Sequence, residues 1–581
     1  MNELCELELL KTAVEEKNKR YNPSLSMLTA PYHTNGYHTI LKNVDWVHPC
    51  RESIEYALAL LDTGGAECEE RAFAIIRQVI SLQDQHPAHD TYGLWSYYYE
   101  EPLEMMAPPD WNWADFIGKV LVMIAKRHRA RLPEALLAEL EQAVCHACES
   151  IIRRNMGPHY TNIAIMGSLV TIGAGEVFGH QRYLDYGLKR FEAFCQYTQQ
   201  LNTFQEYNSP TYTIIAIIEL SKIRQITGHP MALEICETML DLAWSMVGAH
   251  FHAATRQWAG PHSRSYSTLL TKGTLAFLSL AAGIPWREAE DGPMPYNLEW
   301  FKSGVNCPEK YRGLFAERTI RDIQEIYYRS QDGYEKVATT YMTPSFTIAS
   351  ASKEVMWNQR RNLLAYVADN EGKTAYAALR MLHDGHDFSA PVFSSQQDQG
   401  HILCGLQLSV NGGDTHIGLD RIDGAVEASD LRLRLEIGGA AENVGAVPEE
   451  GGAVLRIGSV RLELYQLAAV FEGGDGLLNP SPEWTIGRED GKLNLDLVLY
   501  HGPRKKIDIA GLHRAGLIFA LSMEEEQSCG GQAGLSPAKR EAMRVSADGQ
   551  TLEARWQPAD KPLALSLTLK PDKVETLRGQ A

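Results

Sequence analysis

From residue 50 to about 285, apolar residues recur at intervals of three and four, as in RAFAIIRQVISL and MALEICETMLDLAWSMV. That spacing lines one face of an α-helix. With Gly, Pro and Asn at the joints, the pattern predicts helices over 50–63, 67–84, 112–127, 133–154, 161–178, 181–200, 211–227, 231–248 and 266–281. Short joints pack consecutive helices as antiparallel hairpins. The hairpins also repeat: Pro158, Pro210 and Pro261 stand 52 and 51 residues apart, and Pro109 and Pro49 extend the series by 49 and 60, each at or near the start of a helical segment. A run of such units must stack into a solenoid or close into a ring.

From Tyr341 onward the period becomes two. Segments such as SFTIASAS, HILCGLQLSV, DTHIGLDRI, LRLRLEIGG, LNLDLVLYHG and LALSLTLK alternate apolar and polar residues between Gly, Asp and Asn. They predict an antiparallel β-sandwich of two stacked sheets. The fold class expected is therefore α+β and multidomain, with an α/α toroid over 1–335 and a β-sandwich over 336–581. Residues 1–48 form a lead-in to the toroid, 285–335 an irregular linker, and 524–541 a loop.

Composition narrows the function. At 581 residues the chain exceeds what one core supports. A net charge of −18, with only short Lys/Arg runs, excludes general nucleic-acid binding. The acidic start MNELCELELLKTAVEEKNKR has neither a basic n-region nor an apolar h-region, and no run of about eighteen apolar residues stands out as a membrane span. The ten scattered cysteines fit a reducing compartment. The expectation is a cytoplasmic protein with no membrane or nucleic-acid partner, compatible with a homo-oligomer. Cys145 and Cys148 form one CxxC with no second pair, and read as core thiols.

The candidate chemistry gathers at three helix starts. TFQEYNSPTY at 203–212 carries Glu206, Tyr207, Asn208 and Tyr212, with Ser209 as N-cap and Pro210 in the first turn. GPHYTN at 157–162 carries His159, Tyr160 and Asn162, and GPHSRSY at 260–266 carries His262, Arg264 and Tyr266. A closed ring would bring these starts to one rim. The aromatic interruption at 86–113 adds Trp95, Trp111 and Trp113, which with Tyr160 and Tyr207 are candidates for cradling sugar faces. Each has a plainer reading: a capping Asn, a core Tyr or Trp, a turn held by His and Arg. A second cluster, His383, His386 and Asp387 with His401 downstream, suits either a divalent ion or a solvated loop.

This layout, the helix-start motifs and YMTPSFTIASASKEVMWNQRR at 341–361 resemble the (α/α)-toroid polysaccharide lyases and the heparinase II/III-like proteins. The resemblance implies β-elimination beside a uronate carboxylate. That reaction needs a group to neutralise the carboxylate, a base for the α proton and an acid for the leaving oxygen. The resemblance offers Asn162 or Asn208 with Arg264 for the first role, His262 or His159 for the second, and Tyr266 or Tyr212 for the third, Glu206 orienting a His or Arg. It implies no cofactor for the chemistry and allows a metal in the β domain. The implied substrate is an acidic oligosaccharide, a short one, since a chain at −18 repels long polyanions. The rivals are a glycoside hydrolase pairing Glu206 with Asp110 or Asp115, and a non-catalytic carbohydrate-binding protein.

Overall fold

The computed structural model describes residues 3–580 apart from 34–37, 370–371, 413–421, 474–477 and 527–533. Internal contacts divide the chain into two units that interleave in sequence. One comprises Met1–Glu206, Tyr212–Ser245 and Thr271–Arg312; the other comprises Tyr207–Thr211, Met246–Leu270 and Gly313–Ala581.

The first unit is built from α1 (Glu3–Asn18), α2 (Cys50–Thr63), α3 (Ala66–Ser81), α4 (Trp113–His128), α5 (Glu134–Arg154), α6 (Thr161–Phe178), α7 (Gln181–Leu201), α8 (Tyr212–Ile226), α9 (Pro230–His250) and α10 (Lys272–Ala282). Each of α2, α4 and α6 packs on the helix that follows it and on the next even-numbered helix. This makes two layers: an inner set α2, α4, α6, α8 and an outer set that includes α3, α5 and α7. The proline period tracks the inner layer, with Pro49, Pro158 and Pro210 lying within three residues of the starts of α2, α6 and α8. Burial follows the layers. Helices α3, α5 and α7 bury one stripe, whereas α4 and α6 are buried almost all round.

Helix α6 is apolar enough over its 18 residues to qualify as a membrane span by length and composition, a run the sequence reading missed. It is 83% buried inside the protein. Its glycines allow close approach: a Cβ on Gly173 would stand 2.4 Å from Val122 of α4, and one on Gly187 of α7 would stand 2.6 Å from Thr171. Left-handed residues end the helices where the sequence supplies Asn or Gly, at Asn155, Gly179, Asn202 and Gly283.

The end of this unit returns to its start. The 3-10 turn Leu298–Trp300 packs on α1 and α2, and Tyr296 donates to Glu6 on α1. Glu299 meets Lys119 of α4 at 2.7 Å, Lys222 of α8 at 2.8 Å and Arg51 of α2 at 3.6 Å. Lys119 also meets Glu219 at 2.5 Å, and Arg51 meets Glu55 at 2.7 Å. Side chains from three inner helices and the closing turn thus converge on one charge-balanced cluster, which is how a closed ring of hairpins fills its axis. Burial alone would push the Glu299 carboxyl up, but Lys119, Lys222 and Arg51 hold it well below the usual range.

The second unit is antiparallel β. Its larger sheet runs, in spatial order, Trp484–Glu489, Lys492–Asp508, Ala425–Gly439, Thr374–His383, Leu363–Ala368, Phe346–Ala351, Glu335–Met342 and Arg321–Arg329. The first strand of this sheet in chain order, Arg321–Arg329, lies in the stretch read as linker. A seven-stranded sheet centred on His401–Gln407 and Leu512–Glu525 faces it. Between them lies one core that includes Phe346, Leu433 and Leu497 from one sheet and Ile402, Leu517 and Phe519 from the other. A three-stranded sheet, Arg544–Ala547, Thr551–Trp556 and Leu563–Thr568, adds a third layer, packing Trp556 and Leu565 on Leu403 and Ile518. Most of the strand read at DTHIGLDRI, and the centre of the loop read at 524–541, lie outside the described residues; 537–542 is a short helix.

Candidate functional site

In the helical unit two of the candidate residues, Glu206 and Asn162, meet at the start of α6. One Glu206 carboxylate oxygen accepts from the Asn162 backbone N–H at 2.9 Å and from Asn162 Nδ2 at 2.6 Å. The Glu206 N–H reaches Thr161 Oγ1 at 3.4 Å. Asn162 is 1% exposed and Glu206 7%. The acceptor stands in the first turn of an 18-residue helix, where backbone donors and the macrodipole favour a negative charge. Fixing one N–H of the carboxamide leaves its second N–H and its Oδ1 with a set direction. Tyr212 is the first residue of α8, which packs on α6, and is buried. His159 is exposed and Tyr160 half-buried on the turn leading into α6.

Tyr160 and Trp113, the first residue of α4, pack with Ile215 of α8 against Phe116, Ile163 and Met166. Trp113 packs at a tilt on Tyr97, 4.1 Å between centroids, and its buried indole N–H has no partner among the described residues. Tyr97 donates to Asp110 at 2.6 Å, and Arg154 holds Asn112 at 2.5 Å. Trp111 is half-buried beside them in sequence. Asp115 is 2% exposed, and burial pushes its carboxyl up to about 7, with Arg190 and Arg154 offsetting part of the rise. Trp95 is a core residue. It is fully buried and donates to the Val79 carbonyl at 2.9 Å, leaving no face for a sugar.

In the β unit the sequence-predicted residues fall into a clasp and a cavity. Asn208 sits at φ 47, a left-handed backbone that Asn tolerates better than most residues. Its Oδ1 accepts from Trp258 Nε1 at 2.5 Å, and its Nδ2 donates to the Ala259 and Pro261 carbonyls at 2.8 and 3.1 Å. His262 Nδ1 donates to the Asn208 carbonyl at 2.6 Å, and its main chain bridges that of Arg361. His262 is 2% exposed; burial lowers its pKa to about 3, the Asn208 carbonyl opposing and Arg361 adding to the fall. Such an imidazole is a weak base. Asn208, and His262 through its Nδ1, thus hold the strap 207–211 against 258–262, while the buried His262 Nε2 has no partner among the described residues.

Tyr207 is core as well. It is 1% exposed, shares its hydroxyl with His250 at 3.1 Å and stacks on Tyr327. Ser209 does not cap α8: its hydroxyl donates to the Arg264 carbonyl at 2.6 Å. Nor does a helix begin at Tyr266. His262 and Ser265 make main-chain hydrogen bonds to Arg361 and Gln359, and α10 starts at Lys272 behind a Thr271 cap that accepts from Thr274 N–H at 3.1 Å. Arg264 donates to Gln359 Oε1 at 3.2 and 2.9 Å over the face of Trp357. Tyr266 is 54% exposed at the mouth of a cavity of about 220 Å³ lined also by Trp357, Arg361, Tyr376, Arg380 and Asp387.

The proposed ion ligands are not assembled. His383 bonds the Glu427 carbonyl at 2.9 Å, Asp387 takes both its oxygens to Arg380 at 2.9 Å, and His386 is exposed. His401 lies in the other sheet, buried and bonded to Ser522 at 3.1 Å. Among the described residues, no three His, Cys, Asp or Glu side chains are arranged to hold a metal. Sequence reasoning missed Gln359 and Arg361, whose signal was the polar run WNQRR following a strand pair.

DUF8769, described as a domain of unknown function, matches residues 8–296. No curated protein matches the chain. Solved structures similar to it include heparinase III, at 10% identity over 93% of this chain and 84% of that one, with a TM-score of 0.46. A Streptomyces coelicolor A3 chondroitin AC lyase in complex with chondroitin sulphate is similar at 9% identity, over 98% and 95% of the two chains, with a TM-score of 0.45. A Paenibacillus xanthan lyase is similar at 10% identity, over 95% of this chain and 60% of that one, with a TM-score of 0.38.

Proposed function

We propose that the protein is a carbohydrate-active enzyme that cleaves short uronate-containing oligosaccharides by β-elimination, at the rim formed by the starts of α4, α6 and α8. The observation that carries the reading is the Glu206–Asn162 pair, in which one carboxylate oxygen takes the backbone N–H and one carboxamide N–H of a buried Asn. A carboxylate so engaged is an orienting group, and the amide it orients is suited to binding a substrate carboxylate. Neutralising that carboxylate stabilises the enolate-like charge that develops when the α proton leaves.

Tyr212 opens α8, which packs on α6, and has the hydroxyl to exchange the proton, taking it from the α carbon as a phenolate or returning it to the leaving oxygen; exposed His159 is the second candidate base. Trp113, with an indole N–H free of partners among the described residues, and Tyr160 offer the aromatic faces and donors a sugar ring needs. The net charge of −18 favours short fragments, and a cytoplasmic setting suits them. The hydrolase reading is weaker, because Asp110 is engaged with Tyr97 and Asn112, and Glu206 with Asn162.

The test is ultraviolet absorbance during incubation with a panel of uronate oligosaccharides, since elimination leaves a double bond conjugated to the carboxylate. Wild type should generate absorbance, and Asn162→Ala and Tyr212→Phe should each lower kcat by about a hundredfold or more. Wild-type turnover that survives both substitutions would overturn the assignment.

A further inference from the structure

The cavity beside Tyr266 has a charge imbalance that the proposed reaction does not use. Arg380 gives both arms of its fork to Asp387 and a third contact to Glu436 at 2.8 Å. Lys492 meets Glu436 at 3.2 Å, and Tyr376 donates to the same carboxylate at 2.7 Å. Two cations therefore balance two carboxylates. Arg360 is matched to Glu354 at 3.0 Å.

Arg361 is different. Its Nη1 donates only to the Asn358 and Arg360 carbonyls, at 2.5 and 2.9 Å, and its buried Nε has no partner among the described residues. No described carboxylate lies within ion-pair distance of it. A largely buried guanidinium without a counter-ion is costly to keep, yet the main chain locks it in place through the His262 bridge.

We propose that this cavity binds a single hexuronate ring, with the sugar carboxylate as the missing counter-ion of Arg361. The chemistry of the walls fits. The guanidinium fork takes a carboxylate through two donors. Asp387 and Glu436 retain lone pairs to accept sugar hydroxyls. The half-exposed ring of Tyr266 gives the mouth an aromatic face. At about 220 Å³ the space lies below the roughly 300–1,000 Å³ typical of larger ligands, so it holds one ring rather than a chain. The choice of a sugar acid among compact carboxylates rests on the elimination reading.

The experiment is calorimetric titration of the full chain with methyl glucuronide, methyl glucoside and inorganic sulfate, for wild type, Arg361→Gln, Tyr266→Ala and Asn162→Ala. The glucuronide should bind about tenfold to a hundredfold more tightly than the glucoside, the worth of charge-assisted hydrogen bonds, and more weakly as salt is raised. Arg361→Gln should remove that preference without lowering the melting temperature of the sugar-free protein. Tyr266→Ala, at an exposed position, should weaken glucuronide binding severalfold and keeps the test alive if Arg361→Gln does not fold. Asn162→Ala should leave an Arg361-dependent site intact, and absence of elimination by the wild-type protein with this binding preserved would sink the reaction and not the cavity. Equal affinity for glucuronide and glucoside would overturn the proposal, as would glucuronide binding unchanged in both cavity variants. Sulfate binding without glucuronide binding would overturn the sugar and leave an adventitious ion only.

Discussion

Replacing His262 tests the clasp through its proton. In the fold its pKa falls to about 3 from an unfolded value of 6.5, because burial disfavours the cation. A group depressed in this way adds stability that is fully present above pH 6.5 and is lost as pH falls, since the unfolded chain takes up a proton the folded chain refuses. The slope is about 1.4 kcal/mol per pH unit, so about 2 kcal/mol disappears between pH 6.5 and 5 from this residue alone. His252, lowered to about 4 by burial, and His250, also lowered, act in the same direction. The variant separates them. His262→Gln should carry a pH-independent cost from the lost bond to Asn208, and its stability should fall with acid about 1.4 kcal/mol per pH unit less steeply than wild type between pH 6 and 4. Urea unfolding at half-unit pH steps reads the slope, and NMR of the imidazole carbons reads the titration. Equal slopes in the two proteins, or a His262 resonance titrating near 6.5, would refute the reasoning and restore His262 as an accessible base.

Other expectations follow from the same geometry. Asn208→Ala forfeits three side-chain hydrogen bonds and places Ala in a left-handed backbone, so it should cost about 3–5 kcal/mol in chemical unfolding; a catalytic defect at wild-type stability would make Asn208 a ligand-binding group after all. Trp95→Ala should destabilise by about 3–5 kcal/mol without altering sugar affinity in the folded fraction, whereas Trp113→Ala should weaken affinity. Titration calorimetry with oligosaccharides separates the two tryptophans. Lys119→Met leaves Glu219 and Glu299 short of a cation in the ring axis and should cost about 3–5 kcal/mol, seen as a lowered thermal midpoint. The double variant Lys119→Met/Glu219→Leu should recover part of that loss.

Periodicity made the helices legible because each outer helix has one buried stripe and several joints a left-handed Asn or Gly; 161–178 came out residue for residue. It erred at 266–281, where an apolar run after Tyr266 looked helical but the first six residues belong to a loop that pairs, in part, with the chain at 359–361. Local pattern cannot see a partner almost a hundred residues away. Asn208, His262 and Tyr207, read as site groups, make hydrogen bonds within the protein for a related reason. Polar density marks a place where many hydrogen bonds are made, and composition does not say whether the protein or a ligand makes them. The Glu206–Asn162 pair lay among the sequence candidates, while the uncompensated charge on Arg361 becomes visible only when its neighbours' carboxylates are assigned to other cations.

The most direct measurement of the central claim is the mass of the products released from a defined uronate-containing tetrasaccharide. Elimination adds nothing, so the two fragment masses should sum to that of the substrate, and Asn162→Ala should leave the substrate uncut. Fragments whose masses sum to the substrate plus one water would contradict the account and make the protein a hydrolase.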